Sequence, residues 1–117
     1  MPEQPRDLVY VASPYSHPDP AVRQARFEAV CRVAATLLRA GHAVFCPIAH
    51  SHPIATLGDI GPTDHDFWLA ADTPLLLACR SMVVVRRPGW GESRGIQEEL
   101  RIAAERGIPV AYMDPAE

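Results

Sequence analysis

Residues 82–100 read MVVVRRPGWGESRGIQEEL, and the fold turns on how this stretch divides. Met82 to Val85 is continuously apolar and β-branched, the mark of a strand buried on both faces. Arg86 to Glu92 holds Pro88, Gly89 and Gly91, which read as a turn. From Ser93 onward the apolar residues take helical spacing. Ile96, Leu100, Ala103 and Ala104 share one face of a helix over 94–106, which Gly107 closes. Strand, turn and helix in that order form half of a βαβ unit.

Working outward, the same alternation recurs. PVAY (109–112) reads as a further strand, LVYVA (8–12) as the first and AVFC (43–46) as the second. Asp19 before Pro20 signals a helix start, with an Asx cap and proline in the first turn. Phe27, Val30, Ala34, Leu37 and Leu38 then repeat at helical spacing up to Gly41. The stretch PIAHSHPIATLGDIGPT (47–63) reads as loop with at most one helical turn. Asp64 to Ala78 reads as helix, with a kink or restart at Pro74. The class expected is α/β: a Rossmann-like doubly wound parallel sheet of about four or five strands flanked by helices, in one domain over 1–117.

Composition agrees. With 117 residues, 48% hydrophobic and 21% charged, the chain suits one small globular domain. Net charge is −3 with no basic block, which argues against a nucleic-acid polymer as partner but leaves a single nucleotide open. The first residues contain no apolar run long enough for a signal peptide or a membrane span, so a cytoplasmic protein is expected. Cys31, Cys46 and Cys79 show no CxxC spacing, so neither a disulfide framework nor a zinc site is expected.

In doubly wound sheets ligands sit beyond the carboxyl ends of the strands. SPYSHP, CPIAHSHP and RPGWGESRG reach that edge and are the most polar segments of the chain. The helix over 94–106 brings two glutamates there. At about 100° per residue, Glu98 points roughly 175° from the apolar stripe, with Arg101 and Glu105 beside it, and reads as solvent-facing. Glu99 lies only about 85° from the stripe, at the boundary of core and water. Its side chain tilts back over Gly95, a residue with no side chain, where a ligand could be laid against the carboxylate. On periodicity alone Glu99 also fits a structural ion pair with an arginine.

Ser93-Arg94-Gly95-Ile96-Gln97-Glu98-Glu99-Leu100 followed by Ala103 resembles the signature of nucleoside 2-deoxyribosyltransferases and of the related 2'-deoxynucleoside 5'-phosphate N-hydrolases. YVASPYS is similar to that superfamily's opening strand and loop, and Asp72 stands where the superfamily has an aspartate ahead of its nucleophile. The resemblance implies that Glu99 attacks C1' of a deoxyribosyl group and that Asp72 contacts the base and assists its departure. It implies no cofactor, a small-molecule nucleoside or nucleotide as ligand, and a homodimer or homotetramer. Ser93, where transferases carry an aspartate, is closer to the phosphate-binding hydrolase branch, because a hydroxyl at a helix start suits a phosphate. Arg101 and Glu98 depart from the pattern, which has a glycine and an aromatic residue at those places. The superfamily also continues beyond PVAY.

The remaining assignments follow from that likeness. Tyr15 or Tyr10 is expected to orient the nucleophile; Tyr15, in the loop, is the better placed, and Tyr10, inside a strand, fits the core. Ser13, Pro14, His17, Trp90, Ser93 and Gly95 are expected around the substrate. Asp72 also fits a helix cap before Thr73-Pro74, and Ser93 a cap that touches ligand as well. Two rival readings stand beside this one. His50-Ser51-His52, if extended, would face one side and with His65 and Asp66 supply a metal-dependent hydrolase. The same fold also suits a non-catalytic nucleotide-binding or sensing module.

Overall fold

The computed structural model describes residues 7–115. Four strands are present: β1 (Leu8–Ala12), β2 (Ala43–Phe45), β3 (Ser81–Val85) and β4 (Val110–Met113). They form one sheet in the order β2-β1-β3-β4, and every pairing is parallel. Four α-helices accompany them: α1 (Pro20–Arg39), α2 (Pro47–Gly58), α3 (His65–Leu77) and α4 (Arg94–Arg106). This is the Rossmann-like α/β class expected from the alternation.

The strand order explains how the helices distribute. Leaving β1 for β2 and leaving β3 for β4 run in opposite directions across the sheet. Right-handed crossovers therefore put the two connecting helices on opposite faces. The two-residue period of β1 shows it directly. Val9 and Val11 pack with Val30, Val33 and Ala34 of α1, whereas Tyr10 and Ala12 pack with Leu76 of α3 and Ile96 and Ala103 of α4. Chains diverge from β1 and β3 to opposite faces, and a crevice opens between their carboxyl ends.

The helix boundaries follow local chemistry. The Asp19 side chain accepts from Ala21 N–H at 2.9 Å, and Pro20 opens α1. Gly107 ends α4 at φ +69°, a left-handed turn that residues with a Cβ seldom adopt.

One segment corrects the expectation. Residues 47–58 are not loop but the twelve-residue helix α2. Pro47 occupies the first turn, where no N–H is needed, and Pro53 sits inside the helix. Burial of Ile48 and Ala55 against α1 and β1 outweighs the missing bond. Helix α3 likewise runs on through Pro74 without a restart.

Candidate active site

A cleft of about 490 Å³ opens at the carboxyl edge of β1 and β3. The β1–α1 loop, the start of α2, the α2–α3 segment, α3 and the start of α4 all contribute to its wall. Its position matches the ligand crevice of open α/β sheets.

Glu99 lies in that wall and is only 8% exposed. Helix α4 buries Ile96, Glu99 and Ala103, so the carboxylate belongs to the buried face and not to its margin. The Tyr10 hydroxyl donates to Glu99 Oε2. Among the described residues no cation pairs with Glu99. Burial pushes its carboxyl up to about 8; the Tyr10 hydrogen bond opposes that rise and the charge of Asp72 adds to it. Glu98 is different: it bonds Arg101 at 2.8 Å, and that guanidinium holds its carboxyl below the usual range.

Asp72 also lines the cleft, from the middle of α3. It does not cap a helix; Asp64 does that for α3, accepting from Phe67 N–H at 3.3 Å. Burial raises the Asp72 carboxyl to about 6, against a smaller lowering by His50. Two carboxyls from two helices thus share one partly desolvated space, and each makes ionisation of the other harder.

The other residues singled out in the sequence divide. Ser13, Tyr15, His17, Ser93 and Gly95 line the cleft. Ser93 Oγ accepts from Ile96 N–H at 3.2 Å, so it caps α4 while facing the cavity. Gly95 has open space where a side chain would stand, its nearest neighbour being Ser93 Oγ at 3.9 Å. Pro14 is buried in the interior and is not part of the wall. Trp90 also stays out of it, half-buried against the core cluster that holds Ile96 and Ala103, with its ring 5.8 Å from that of Tyr112. The tyrosine expectation is corrected as well. Tyr10, not Tyr15, bonds Glu99, and the Tyr15 hydroxyl meets His52 Nδ1 at 2.7 Å.

The metal alternative loses its geometric premise. His50 and His52 are on a helix, where residues two apart diverge by about 200° instead of facing one side. Among the described residues no group of three His, Cys, Asp or Glu is placed to hold a metal ion.

Sequence reasoning missed Trp68 and Arg26 and offered His65 only as a metal ligand; all three line the cleft. Trp68 is held by its Nε1–H, which donates to Gly61 O at 2.9 Å. Arg26 lies against Gly89, whose φ of +96° and bare Cα leave room for the guanidinium. Ser13 Oγ and His65 Nε2 are buried without a hydrogen-bond partner. Buried polar atoms are rarely left so, and both residues belong to the cleft wall.

A parallel α/β domain with paired carboxylates at its ligand crevice is the class these observations define. The chain belongs to the family described as a domain of unknown function (DUF1937), which matches residues 7–115. Its fold is shared by the 2-deoxyribosyltransferase of the psychrotolerant bacterium Bacillus psychrosaccharolyticus. That structure is 20% identical with a TM-score of 0.65, over 93% of this chain and 73% of the other. No curated protein sequence matches the chain. Among the described residues no helix is long and apolar enough to cross a membrane.

Proposed function

We propose that the protein cleaves the N-glycosidic bond of a deoxynucleoside or its 5'-phosphate. The observation that carries this reading is Glu99. It is a buried carboxylate without a cationic partner among the described residues, held by Tyr10 and opening onto the ligand crevice beside Asp72. The transferase activity named for the fold neighbour supports the same chemistry.

Ionised Glu99 attacks C1' from one face of the sugar while the bond from C1' to the base nitrogen breaks. The base leaves with the bonding pair and takes the proton of Asp72, whose pKa, raised to about 6, keeps a fraction of it protonated near neutral pH. A sugar–glutamate ester results, with retaining stereochemistry after the second step. Water then attacks C1', its proton returns to Asp72 and Glu99 leaves; a second base in place of water gives transfer. Gly95 leaves room for the pentose, and Ser93 with the free N–H groups of α4 faces the 5' end, where a phosphate is accommodated. No cofactor is required.

The ligand is a small molecule, and we propose a homodimer or homotetramer as the working assembly. Helix α3 exposes the apolar side chains of Phe67, Leu75 and Leu77, area of the kind a second copy covers; light scattering tests it.

A non-catalytic nucleotide-binding module is the second reading. It is favoured by the Glu99 carboxyl at about 8, since a protonated carboxyl is no nucleophile. The two separate on incubation with deoxynucleosides and their 5'-phosphates, following released base. Release abolished in Glu99→Ala and kept in Glu98→Ala supports the enzyme. Binding with no release by the wild-type protein supports the module. Mass spectrometry after mixing with a 2-fluoro-deoxyribosyl analogue detects the ester directly.

A further inference from the structure

Tyr15 sits at the end of a hydrogen-bond chain whose proton positions can be assigned link by link. The Gln24 Nε2 amide donates to Glu28 Oε2 at 2.9 Å. A carboxylate only accepts, so the amide NH2 must face Glu28 and the amide oxygen must face away. That oxygen, Gln24 Oε1, lies 2.9 Å from His52 Nε2. An amide oxygen also only accepts, so His52 Nε2 carries the hydrogen. In a neutral ring the other nitrogen is then bare. It is His52 Nδ1, 2.7 Å from the Tyr15 hydroxyl, and it can only accept the phenolic proton.

The ring is held in place for this. Phe27 stacks on it at 4.2 Å and 22°, and Tyr15 meets it edge-on at 81°. Burial lowers the His52 pKa from its ordinary value, and the nearby Arg23 charge lowers it further, so the neutral form prevails at pH 7. Burial raises the Tyr15 pKa, and Arg23, through its charge and a hydrogen bond to the phenol oxygen, opposes that rise. A phenol oxygen has two lone pairs, so one remains for a ligand.

We infer that Tyr15 selects the ligand: its proton is committed to His52, and its oxygen meets the cleft as an acceptor for an O–H or N–H group of the bound molecule. The identity of that molecule as a nucleoside rests on the function proposed above; the proton assignment does not. Two sources of such a donor exist, a sugar hydroxyl and a base amino group.

The test has two parts. Ring nitrogen NMR of wild-type protein at neutral pH should show His52 as the Nε2–H tautomer. Gln24→Leu, at an exposed position, should mix the tautomers. An Nδ1–H or doubly protonated ring in the wild type, or no change in Gln24→Leu, overturns the relay.

Binding is read by stopped-flow fluorescence of Trp68, before turnover. The probes are 2'-deoxyadenosine, its 2',3'-dideoxy analogue and its N6,N6-dimethyl analogue. The wild type should lose about tenfold in affinity for one analogue, and which one identifies the donor. Tyr15→Phe should bind all three within about twofold of one another. Equal wild-type affinities overturn the ligand half of the inference. The same series is run as 5'-phosphates; if neither series binds, the ligand half falls, while the ring spectrum still decides the relay and base release from other deoxynucleosides decides the proposed function.

Discussion

The Tyr10 hydroxyl donates to Glu99 Oε2 across 89 residues of chain. Tyr10 belongs to the central strand β1, and its side chain points to the sheet face that α4 covers. The bond aims a carboxylate that would otherwise be free to rotate, and it is the influence that opposes the rise of its pKa. In Tyr10→Phe the ring volume remains and only the donor goes. The pH at which Glu99 ionises should move upward by about one unit. Base release, followed against pH, should show its acidic limb displaced in the alkaline direction. An unmoved limb would mean that the bond does not tune the carboxylate.

Asp72 and Glu99 titrate as a pair. With values raised to about 6 and about 8, the pair holds one proton between those pH values. The higher value puts that proton mainly on Glu99; the productive arrangement is the minor one, with the proton on Asp72 and the charge on Glu99, where Tyr10 stabilises it. The rate should therefore be bell-shaped with its maximum near the middle of that window. Asp72→Asn leaves a single titrating carboxyl, so the alkaline limb should vanish and one Glu99 limb should remain, below the value of about 8 that the Asp72 charge helps to set. A profile in Asp72→Asn that keeps both limbs would sink the shared-proton account.

The same burial makes a prediction for stability. The folded-state pKa of Glu99 is raised from 4.5 to about 8, so the folded protein binds a proton that the unfolded chain has already released. Its contribution is fully present below the ordinary value and is lost as pH rises through about 8. Between pH 5 and 8 the wild type should lose on the order of 3 kcal/mol through this group. Glu99→Gln should flatten that decline. Urea midpoints across the range measure it, and parallel curves for the two proteins would contradict the burial argument.

Gly95 separates stability from ligand binding. It lies inside α4, where alanine is favoured over glycine by about 1 kcal/mol. An added Cβ would touch only Ser93 Oγ at 3.9 Å, an ordinary contact. Gly95→Ala should therefore raise the melting temperature while its methyl group fills part of the cleft. Weaker nucleoside binding in a more stable protein is the expected result. Unchanged binding would place the pentose elsewhere.

Much of this arrangement was written in local patterns. Continuously apolar strands announced a parallel sheet, buried on both faces at β1 and β3 but leaving Ala111 and Tyr112 of the edge strand β4 exposed. Asp19, Gly41, Ser93 and Gly107 announced helix ends. The direction of Glu98 followed from rotation along one helix, as its bond to Arg101 bears out. Helix α2 was hidden because its prolines carry a local breaking signal, while the burial of Ile48 and Ala55 that overrides it is a contact with distant elements. The loop reading of His50 and His52, and the metal alternative built on it, failed for the same reason.

Periodicity could place Glu99 at an edge of the apolar stripe, because a helix has a fixed angle per residue. It could not say what lies against that edge. Whether the carboxylate meets an arginine, water or a tyrosine depends on which sheet face α4 covers and which β1 side chains point there. Tyr10 and Tyr15 illustrate the limit: the family likeness offered both, and only the stacking of α4 on β1 and of α2 on α1 assigned one to Glu99 and the other to His52. Local order is set by neighbours in sequence, whereas a cleft wall is set by the packing of elements that the sequence holds far apart.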